Sequence, residues 1–295
     1  MTKKLNLSIL ALAALSIVTV PVCAQTMKTE PWLEVPETER PLSTNIIRTA
    51  SMSDPVTGKT TRNFTYAYAP AEGLSLWVAY PLNRGLIGQG SRTDAWDYDP
   101  DLPKEIQRVI YKSYGMSSNE YEHFDRGHQI PSADRLQAKA NRRTFAFTNI
   151  APQDPTLNGG LWNDFEQRVR SWAKRSDTLY VVTGVMLESE KTVADNLGNA
   201  VKVPSHFWKA VLRRNTDKRG KVHWSMCAVV LPNTPRRSYG FKDAGPVLMK
   251  ESCAISTLER YTGLKFFPEL EKIVGKEEYR KLKTEDPADE AWWWN

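Results

Sequence analysis

Apolar residues in the first half of the chain predict strands that begin near residue 63. Aromatic side chains occupy every second position over residues 64–68, and residues 74–82 (LSLWVAYPL) form a short, nearly continuous apolar run. Two later runs, residues 179–187 and 222–231, have the length and composition of buried strands. The sequence therefore predicts a sheet to which distant parts of the chain contribute.

Helical spacing of apolar residues occurs in four other places. The clearest example has apolar residues at intervals of four, four and three, which gives one buried stripe on a helix. The predicted helical segments are 104–113, 161–175, 254–262 and a stretch near 269–282. Helices do not alternate regularly with the strands, so we predict an α+β fold: a mixed, mainly antiparallel sheet with flanking helices.

The first 24 residues have the features of a secretory signal peptide. Lys3 and Lys4 precede the uncharged, apolar stretch 5–22, and Val22-Cys23-Ala24 offers small residues for cleavage, with Gln25 as the new N-terminus. An uncleaved anchor and a lipidated cysteine are the alternatives. We expect a secreted or periplasmic protein that has no membrane attachment after cleavage.

The remaining chain divides into three parts by composition. Residues 25–62 are rich in proline and polar residues, which predicts a loosely ordered leader. Residues 63–283 contain the predicted strands and helices and no internal linker, so they are expected to form one catalytic domain. Residues 284–295 form an acidic tail that ends in three tryptophans and an asparagine.

Composition and charge narrow the class of protein only slightly. Of 295 residues, 41% are hydrophobic and 25% are charged, which is typical of a globular protein and excludes general disorder. The net charge of +6 favours polyanionic partners, although charge alone identifies none. Signal cleavage would leave Cys227 and Cys253, which in an oxidising compartment are candidates for a disulfide; two buried thiols are the alternative.

The segment 124–131 (FDRGHQIP) places four chemically distinct residues together. His128 titrates near neutral pH and can accept a proton from water, while Arg126 carries planar donors that suit phosphate oxygens. Asp125 adds a carboxylate, and Gly127 permits a backbone geometry that turns its neighbours toward one point. A polar turn with a structural histidine is the alternative interpretation.

A second segment, residues 148–166, contains an amide and a carboxylate that both face the protein on a helical wheel. Asn158 and Glu166 are eight residues apart, about 12 Å along a helix, which is too far for both to bind one ion directly. One would bind directly and the other through water. The alternatives are a helix N-cap for Asn158 and an ion pair of Glu166 with Arg170.

These two segments resemble the DNA/RNA non-specific endonucleases, the ββα-metal group that includes Serratia-type secreted nucleases and the mitochondrial endonuclease G type. The resemblance is carried by the DRGH motif (Asp125–His128), by TNIAPQ at 148–153, and by Asn158 with Glu166 eight residues later. Weaker similarity extends it over roughly residues 63–268. It implies a ββα-metal active-site motif within the α+β fold.

The resemblance also implies a role for each matching residue around a single Mg²⁺, for which Mn²⁺ is the alternative. His128 corresponds to the general base that activates water. Asn158 corresponds to the direct protein ligand of the metal. Glu166 and Asp125 correspond to acids that hold metal-bound waters.

Three further residues match supporting positions of the family. Arg126 corresponds to a phosphate-contacting arginine, and Arg92 to an upstream arginine that steadies the transition-state phosphate; a surface salt bridge is the alternative for Arg92. Asn149 corresponds to an asparagine that supports site geometry. Gln129 departs from the family, which usually has an aliphatic residue there.

We therefore expect a secreted, Mg²⁺-dependent endonuclease that hydrolyses DNA and RNA, with contacts mainly to the phosphate backbone and an optional homodimer. The alternatives are a phosphodiesterase for small nucleotides and a nucleic-acid-binding relative without catalysis. A zinc site is disfavoured because the four histidines, at 123, 128, 206 and 223, lack close ligand spacing.

Overall fold

The structure, a computed structural model, describes residues 32–38, 44–55, 57–113 and 124–287. The described residues fall in one compact unit that begins at Trp32. The predicted signal peptide, His123 and the three tryptophans of the tail lie outside the described residues.

The described chain mixes strands and helices throughout its length. The strands are β1 (Glu37–Thr38), β2 (Ile46–Ser53), β3 (Thr60–Ala69), β4 (Leu74–Leu82), β5 (Asp125–His128), β6 (Ile150–Gln153), β7 (Thr178–Met186), β8 (Thr192–Ala194), β9 (Ala200–Lys202), β10 (His206–Thr216), β11 (Val222–Pro232), β12 (Ser252–Cys253) and β13 (Leu264–Lys265). The α-helices are α1 (Arg84–Ile87), α2 (Ala138–Thr144), α3 (Pro155–Asn158), α4 (Leu161–Ala173), α5 (Gly240–Lys250), α6 (Ile255–Thr262), α7 (Pro268–Val274) and α8 (Lys276–Thr284). The predicted α+β class is confirmed.

A seven-stranded sheet forms the centre of the fold, in the order β12-β11-β10-β7-β4-β3-β2. Every neighbouring pair of strands in it runs antiparallel. All residues of β7 from Leu179 to Met186 are buried, because the strand lies in the middle of the sheet and both of its faces are covered. Its apolar run in the sequence reflects this two-sided burial.

Two hydrophobic cores cover the two faces of this sheet. On one face, Trp162 and Phe165 of α4 pack with β3, β4 and β7, and we call this the α4-side core. On the other, Leu258 of α6 and Leu282 of α8 pack with Phe266 and the opposite side chains of the sheet, which we call the C-terminal core. The stripe predicted on helix 161–175 is therefore the surface that α4 buries.

The region predicted as a loosely ordered leader, residues 25–62, contains an edge strand. β2 pairs with β3, and its Ala50 and Met52 are buried. Ahead of β2, buried Glu34 forms an ion pair with Arg62. The apolar pattern did not predict this strand, since an edge strand is held mainly by backbone hydrogen bonds and presents few apolar side chains.

Two helix predictions differ from the structure in extent. Residues 104–113 form only a short 3-10 turn at Lys104–Ile106, because the buried side chain of Gln107 hydrogen-bonds to backbone groups of the preceding loop. The segment near 269–282 is two helices that meet at Gly275, whose φ of 85° breaks the helical path.

The predicted disulfide between Cys227 and Cys253 is not formed. Cys253 of β12 lies directly opposite Ala228 of β11, so its side chain points to the other face of the sheet from that of Cys227. Cys227 is part of the α4-side core, whereas Cys253 packs against the C-terminal core. The cysteine count did not predict this, because strand register decides which face each thiol occupies.

None of the helices in the described ranges is long and apolar enough to span a lipid bilayer.

Candidate active site

The DRGH motif is a short strand that pairs with the segment TNIAPQ. β5 runs antiparallel to β6, with His128 opposite Ile150 and Asp125 opposite Gln153. The chain then enters α3 and α4. This β–β–α order, predicted from the resemblance, lies on the face of the central sheet that carries the α4-side core.

Gly127 allows the two strands of the motif to pair closely. A Cβ atom added at this position would lie 2.5 Å from Oε1 of Gln153 and 3.0 Å from the backbone oxygen of Ala151. The backbone of Gly127 is not in the positive-φ region. Its role is therefore to leave space for β6, and the expectation of an unusual backbone geometry is wrong.

Asn149, which lies just before β6, forms hydrogen bonds to the chain that follows β5 and to the end of α2. Its side chain accepts a hydrogen bond from the backbone N–H of Ile130 (3.0 Å) and donates to the carbonyls of Ile130 (3.0 Å) and Thr144 (2.7 Å). Asn149 is buried and fixes the chain that follows β5. The supporting role that the resemblance implies for it stays a prediction.

Gln129 anchors the motif to the central sheet. Its buried side chain donates a hydrogen bond of 2.6 Å to the backbone oxygen of Ser75 in β4. The Ser75 hydroxyl in turn donates to the backbone oxygen of Thr148, just before β6. The amide therefore fixes the residue next to His128 without occupying the catalytic surface.

Two aromatic rings hold the imidazole of His128. Its ring centroid lies 5.1 Å from that of Trp96 and 5.0 Å from that of Phe145. The Nε2 atom is shielded from solvent and has no hydrogen-bond partner among the described residues. Buried polar atoms in folded proteins usually have a hydrogen-bond partner, so Nε2 has unused capacity for one.

The surroundings of His128 keep its imidazole neutral. Burial, and after it the positive charges of Arg92 and Arg126, lower the pKa of His128 to about 3, while a hydrogen bond to the Arg126 backbone acts in the opposite direction. A neutral imidazole has a lone pair available to accept a proton. At neutral pH, His128 can therefore serve as a base.

Arg126 is fixed against the ring of Trp96 beside His128. Its guanidinium carbon lies 3.7 Å from the Trp96 ring centroid, and Nη1 donates a 2.5 Å hydrogen bond to the backbone oxygen of Tyr111. A guanidinium has five N–H donors in a rigid plane, so such anchoring is compatible with a further contact to phosphate.

Arg92 approaches the same histidine from the loop that precedes the motif. Its guanidinium carbon lies 4.7 Å from the Phe145 ring centroid, and it bonds to Asp94 (2.7 Å) and Ser132 (3.2 Å). Its side chain is 49% exposed. The salt bridge considered as an alternative is thus present, but the structure also brings this cation to the ring that packs on His128.

Asn158 and Asp125 form a hydrogen-bonded pair at the other end of β5. Nδ2 of Asn158 donates to Oδ2 of Asp125 over 2.9 Å. Asn158 ends α3, while Asp154 caps that helix and Gly160 stands at the N-cap of α4, so the N-cap alternative for Asn158 is wrong. Two strand residues lie between Asp125 and His128, which are about 10 Å apart along the backbone.

Glu166 lies in a separate buried group of charges on α4. Arg170 approaches its carboxylate at 3.9 Å, and Arg170 also bonds to Asp134 at 3.0 Å. Burial raises the pKa of Glu166 to about 7, against the lowering effect of Arg170 and Lys209. No described hydrogen bond or ion pair joins Glu166 to the Asn158–Asp125 pair.

The donor groups at this site suit a hard divalent cation. The amide oxygen of Asn158 accepts no hydrogen bond from the described residues, and Glu166 is a carboxylate whose burial disfavours its charge. Amide and carboxylate oxygens are the ligands that Mg²⁺ prefers. Within the described ranges, no group of three or more His, Cys, Asp or Glu side chains is placed to hold a metal, and His206 and His223 pair with separate carboxylates.

Comparison with known proteins identifies the family. The sequence profile described as DNA/RNA non-specific endonuclease matches residues 45–273. The chain belongs to this family. The match includes β2, and with it part of the stretch that composition alone had assigned to a leader.

Curated relatives of this endonuclease chain share about 30% identity with it. The mitochondrial nuclease EXOG of Xenopus laevis is 31% identical over 235 residues, which are 75% of this chain and 62% of the frog protein. The mitochondrial endonuclease G of Bos taurus is 30% identical over 223 residues (72% of this chain, 69% of that protein), and a nuclease of Nostoc is 29% identical over 208 residues (69% and 70%).

A solved structure supports the fold of this endonuclease chain. The complex described as EndoG/EndoGI, which concerns EndoG inhibition, aligns with a TM-score of 0.53 and 23% identity. The alignment covers 74% of this chain and 85% of the other. At this identity, the comparison supports the architecture only.

Sequence reasoning missed a buried lysine beside Glu166. Lys209 is fully buried on β10, its Nζ donates to the Thr183 hydroxyl, and it lies 5.0 Å from the ring of Trp162. Burial lowers its pKa to about 8, while Glu166 raises it. The available signal was a cation inside an otherwise apolar strand, at positions that are rarely charged unless paired.

Proposed function

We propose that the protein is a secreted, Mg²⁺-dependent endonuclease that hydrolyses phosphodiester bonds in both DNA and RNA. One observation carries the proposal. A neutral His128 with an unpartnered Nε2 lies beside two arginines, on the same four-residue strand as Asp125, whose carboxylate accepts a hydrogen bond from Asn158 of α3. The names of the frog, bovine and cyanobacterial relatives, all nucleases, support it.

His128 acts as the general base of this reaction. Nε2 takes a proton from water as the water oxygen forms a bond to phosphorus and the bond from phosphorus to the 3′ oxygen breaks. The departing 3′ oxygen takes up a proton from solvent, and His128 returns its proton to solvent. The products are a 5′-phosphate and a 3′-hydroxyl. A positioned base of this kind contributes about 10²- to 10⁴-fold to the rate, and the lowered pKa keeps His128 in the required neutral form.

Arg126 and Arg92 stabilise the charge that grows on the phosphate. Both guanidinium groups are close enough to His128 to lower its pKa, so both lie beside the position of the attacked phosphorus. The aromatic rings under them fix their orientation before substrate binds. Donors that are already oriented need little reorganisation during the reaction.

The oxygen donors of Asn158, Asp125 and Glu166 would hold the metal, with Asn158 as the direct ligand and the two carboxylates acting through water. A bound Mg²⁺ supplies Lewis-acid stabilisation of the phosphate and the leaving oxygen. Because the amide of Asn158 is neutral, it does not offset the positive charge of the cation. That charge stays available to attract the phosphate. Mn²⁺, which also prefers oxygen ligands, is the alternative metal.

Water is the nucleophile, so a ribose 2′-hydroxyl has no part in the reaction. DNA and RNA therefore present the same reacting group to His128 and the arginines. Contacts to phosphate also carry no base identity, and this supports cleavage without sequence preference.

Export of the protein is proposed from its N-terminal sequence. The basic residues, apolar run and small-residue site predict removal of residues 1–24. N-terminal sequencing of the protein from the periplasm or medium of its host should give Gln25 as the first residue. An intact N-terminus in the cytoplasmic fraction would overturn export while leaving the catalytic proposal intact.

The experiment that tests the catalytic proposal compares two histidine variants. Wild type should nick plasmid DNA and degrade RNA with Mg²⁺ and do neither with EDTA. His128→Ala should lose at least 100-fold in rate, whereas His223→Ala should keep wild-type activity, because His223 is 52% exposed and pairs with Asp217.

The same assay separates the alternatives. Cleavage of a small phosphodiester without cleavage of polymers would indicate a small-nucleotide phosphodiesterase. DNA binding without cleavage by wild type would indicate a non-catalytic relative. Either result would overturn the endonuclease proposal.

A further inference from the structure

Three tyrosine and tryptophan rings pack on two phenylalanine rings near β5. Trp96, next to His128, packs edge-on against Phe145 with centroids 4.8 Å apart. Tyr98 and Tyr111 both pack edge-on against Phe147, at 5.3 and 5.0 Å. We call Trp96, Tyr98 and Tyr111 the aromatic row.

Tyr111 differs from the other two members of this row in the ring surface that it offers. Arg126 covers Trp96 at 3.7 Å, and Lys104 lies 5.0 Å from the ring centroid of Tyr98. Tyr111 is 49% exposed, and no cation of the described residues lies over its ring. Edge-on packing against Phe147 fixes the ring while leaving its surface available.

The backbone of Tyr111 is joined directly to the phosphate-binding arginine. Nη1 of Arg126 donates to the Tyr111 carbonyl over 2.5 Å. This contact places the residue that carries the exposed ring next to the guanidinium that is proposed to contact the scissile phosphate.

We propose that Tyr111 is a stacking site for an unpaired base adjacent to the scissile phosphate, which makes single-stranded nucleic acid the better-bound substrate. The proposal rests on the endonuclease function above. Every nucleobase has a flat aromatic face, so stacking on a tyrosine adds affinity without sequence preference. A base within a duplex is already stacked and paired and would first have to leave the helix.

The kinetic test uses a single-stranded DNA oligonucleotide and the corresponding duplex. Tyr111→Ala should raise KM for the single strand by about 5-fold to about 100-fold with kcat retained, and raise KM for the duplex by much less. Tyr111→Trp should restore the single-strand KM, because it restores an aromatic face. Tyr261→Ala is the matched control, since Tyr261 is 68% exposed but packs on the other face of the sheet.

A binding measurement without catalysis keeps this inference separate from the proposed function. In EDTA, a single strand that contains 2-aminopurine should lose fluorescence on binding to wild type, since stacking quenches this base. The quenching should disappear in Tyr111→Ala and remain in Tyr261→Ala. The dependence of affinity on salt should stay the same in both variants, because no phosphate contact is removed.

Several results would overturn the stacking site. Equal changes in KM for single strand and duplex, or unchanged 2-aminopurine quenching in a folded Tyr111→Ala, would each do so. A wild type that binds and quenches the labelled strand but cuts no nucleic acid would contradict the endonuclease proposal and leave the stacking site supported.

Discussion

At the scale of single residues, burial shifts the pKa values of two ionisable side chains of the site in opposite directions. It lowers the pKa of His128 to about 3 and raises the pKa of Glu166 to about 7. Both shifts favour the neutral form. The histidine is thereby unprotonated at neutral pH, whereas the glutamate needs a cation or a higher pH to carry its charge.

The raised pKa of Glu166 predicts that Mg²⁺ binds more tightly as the pH rises through about 7. Below this pH a proton occupies the carboxylate and competes with the cation, so the Mg²⁺ concentration for half-maximal activity should fall by up to about 10-fold per pH unit. Above pH 8 the Mg²⁺ concentration for half-maximal activity should stop falling. Mg²⁺ titrations of the cleavage rate at pH 6, 7 and 8 measure this.

Two glutamine variants serve as test and control for that prediction. Glu166→Gln should abolish the pH dependence of Mg²⁺ activation in this range, since His128 does not titrate there. Glu190→Gln changes a glutamate that is 97% exposed and should leave the dependence as in wild type. A Glu166→Gln enzyme with the wild-type dependence would show that another group is responsible.

At the scale of structural elements, the close pairing of β5 and β6 positions the catalytic strand. Gly127→Ala would place a Cβ atom against Gln153 and against a backbone oxygen of β6. Overpacking of this kind costs about 1–3 kcal/mol. We expect a lower Tm and a greatly reduced cleavage rate, measured by thermal unfolding and by the plasmid assay.

The control for this substitution is a glycine in the same motif with room for a side chain. Gly159→Ala should change stability by less than about 0.5 kcal/mol, because Gly159 has a helical φ of −79° and its nearest neighbour would be 3.5 Å away. If Gly127→Ala were as stable and active as Gly159→Ala, the packing explanation would be wrong.

The sequence predicted those strands and helices whose own apolar side chains form the buried surface. β4 and α4 have the predicted positions because apolar runs and helical stripes mark buried surfaces directly. β2 was missed because its pairing depends on backbone hydrogen bonds, and residues 104–113 were predicted as a helix although one glutamine side chain holds them in another conformation.

At the scale of the whole molecule, the central sheet separates the two cysteines. The same fold brings residues that are distant in the sequence into contact with His128. Cys227 and Cys253 lie on opposite faces of the sheet. Conversely, Trp96 and Phe145 come from distant loops to hold His128. Motif spacing predicted the DRGH residues, but these long-range ring contacts follow only from the assembled fold.

This arrangement predicts that a reducing agent does not affect stability. A disulfide typically contributes about 2–4 kcal/mol, so its reduction would lower Tm by several degrees. With Cys227 and Cys253 unbridged, the Tm of the mature protein should be the same with and without dithiothreitol. Alkylation after denaturation should label two thiols without prior reduction; a lower Tm with dithiothreitol, or no labelling, would contradict this topology.

The most direct test of the central claim, that His128 and the metal ligand Asn158 act on one phosphate, is a double-mutant cycle. The cleavage rate of plasmid DNA is measured with Mg²⁺ for wild type, His128→Ala, Asn158→Ala and the double variant. Groups that act in a single step are strongly non-additive, so the double variant should be about as slow as the slower single variant. Losses that multiply in the double variant would contradict a shared site.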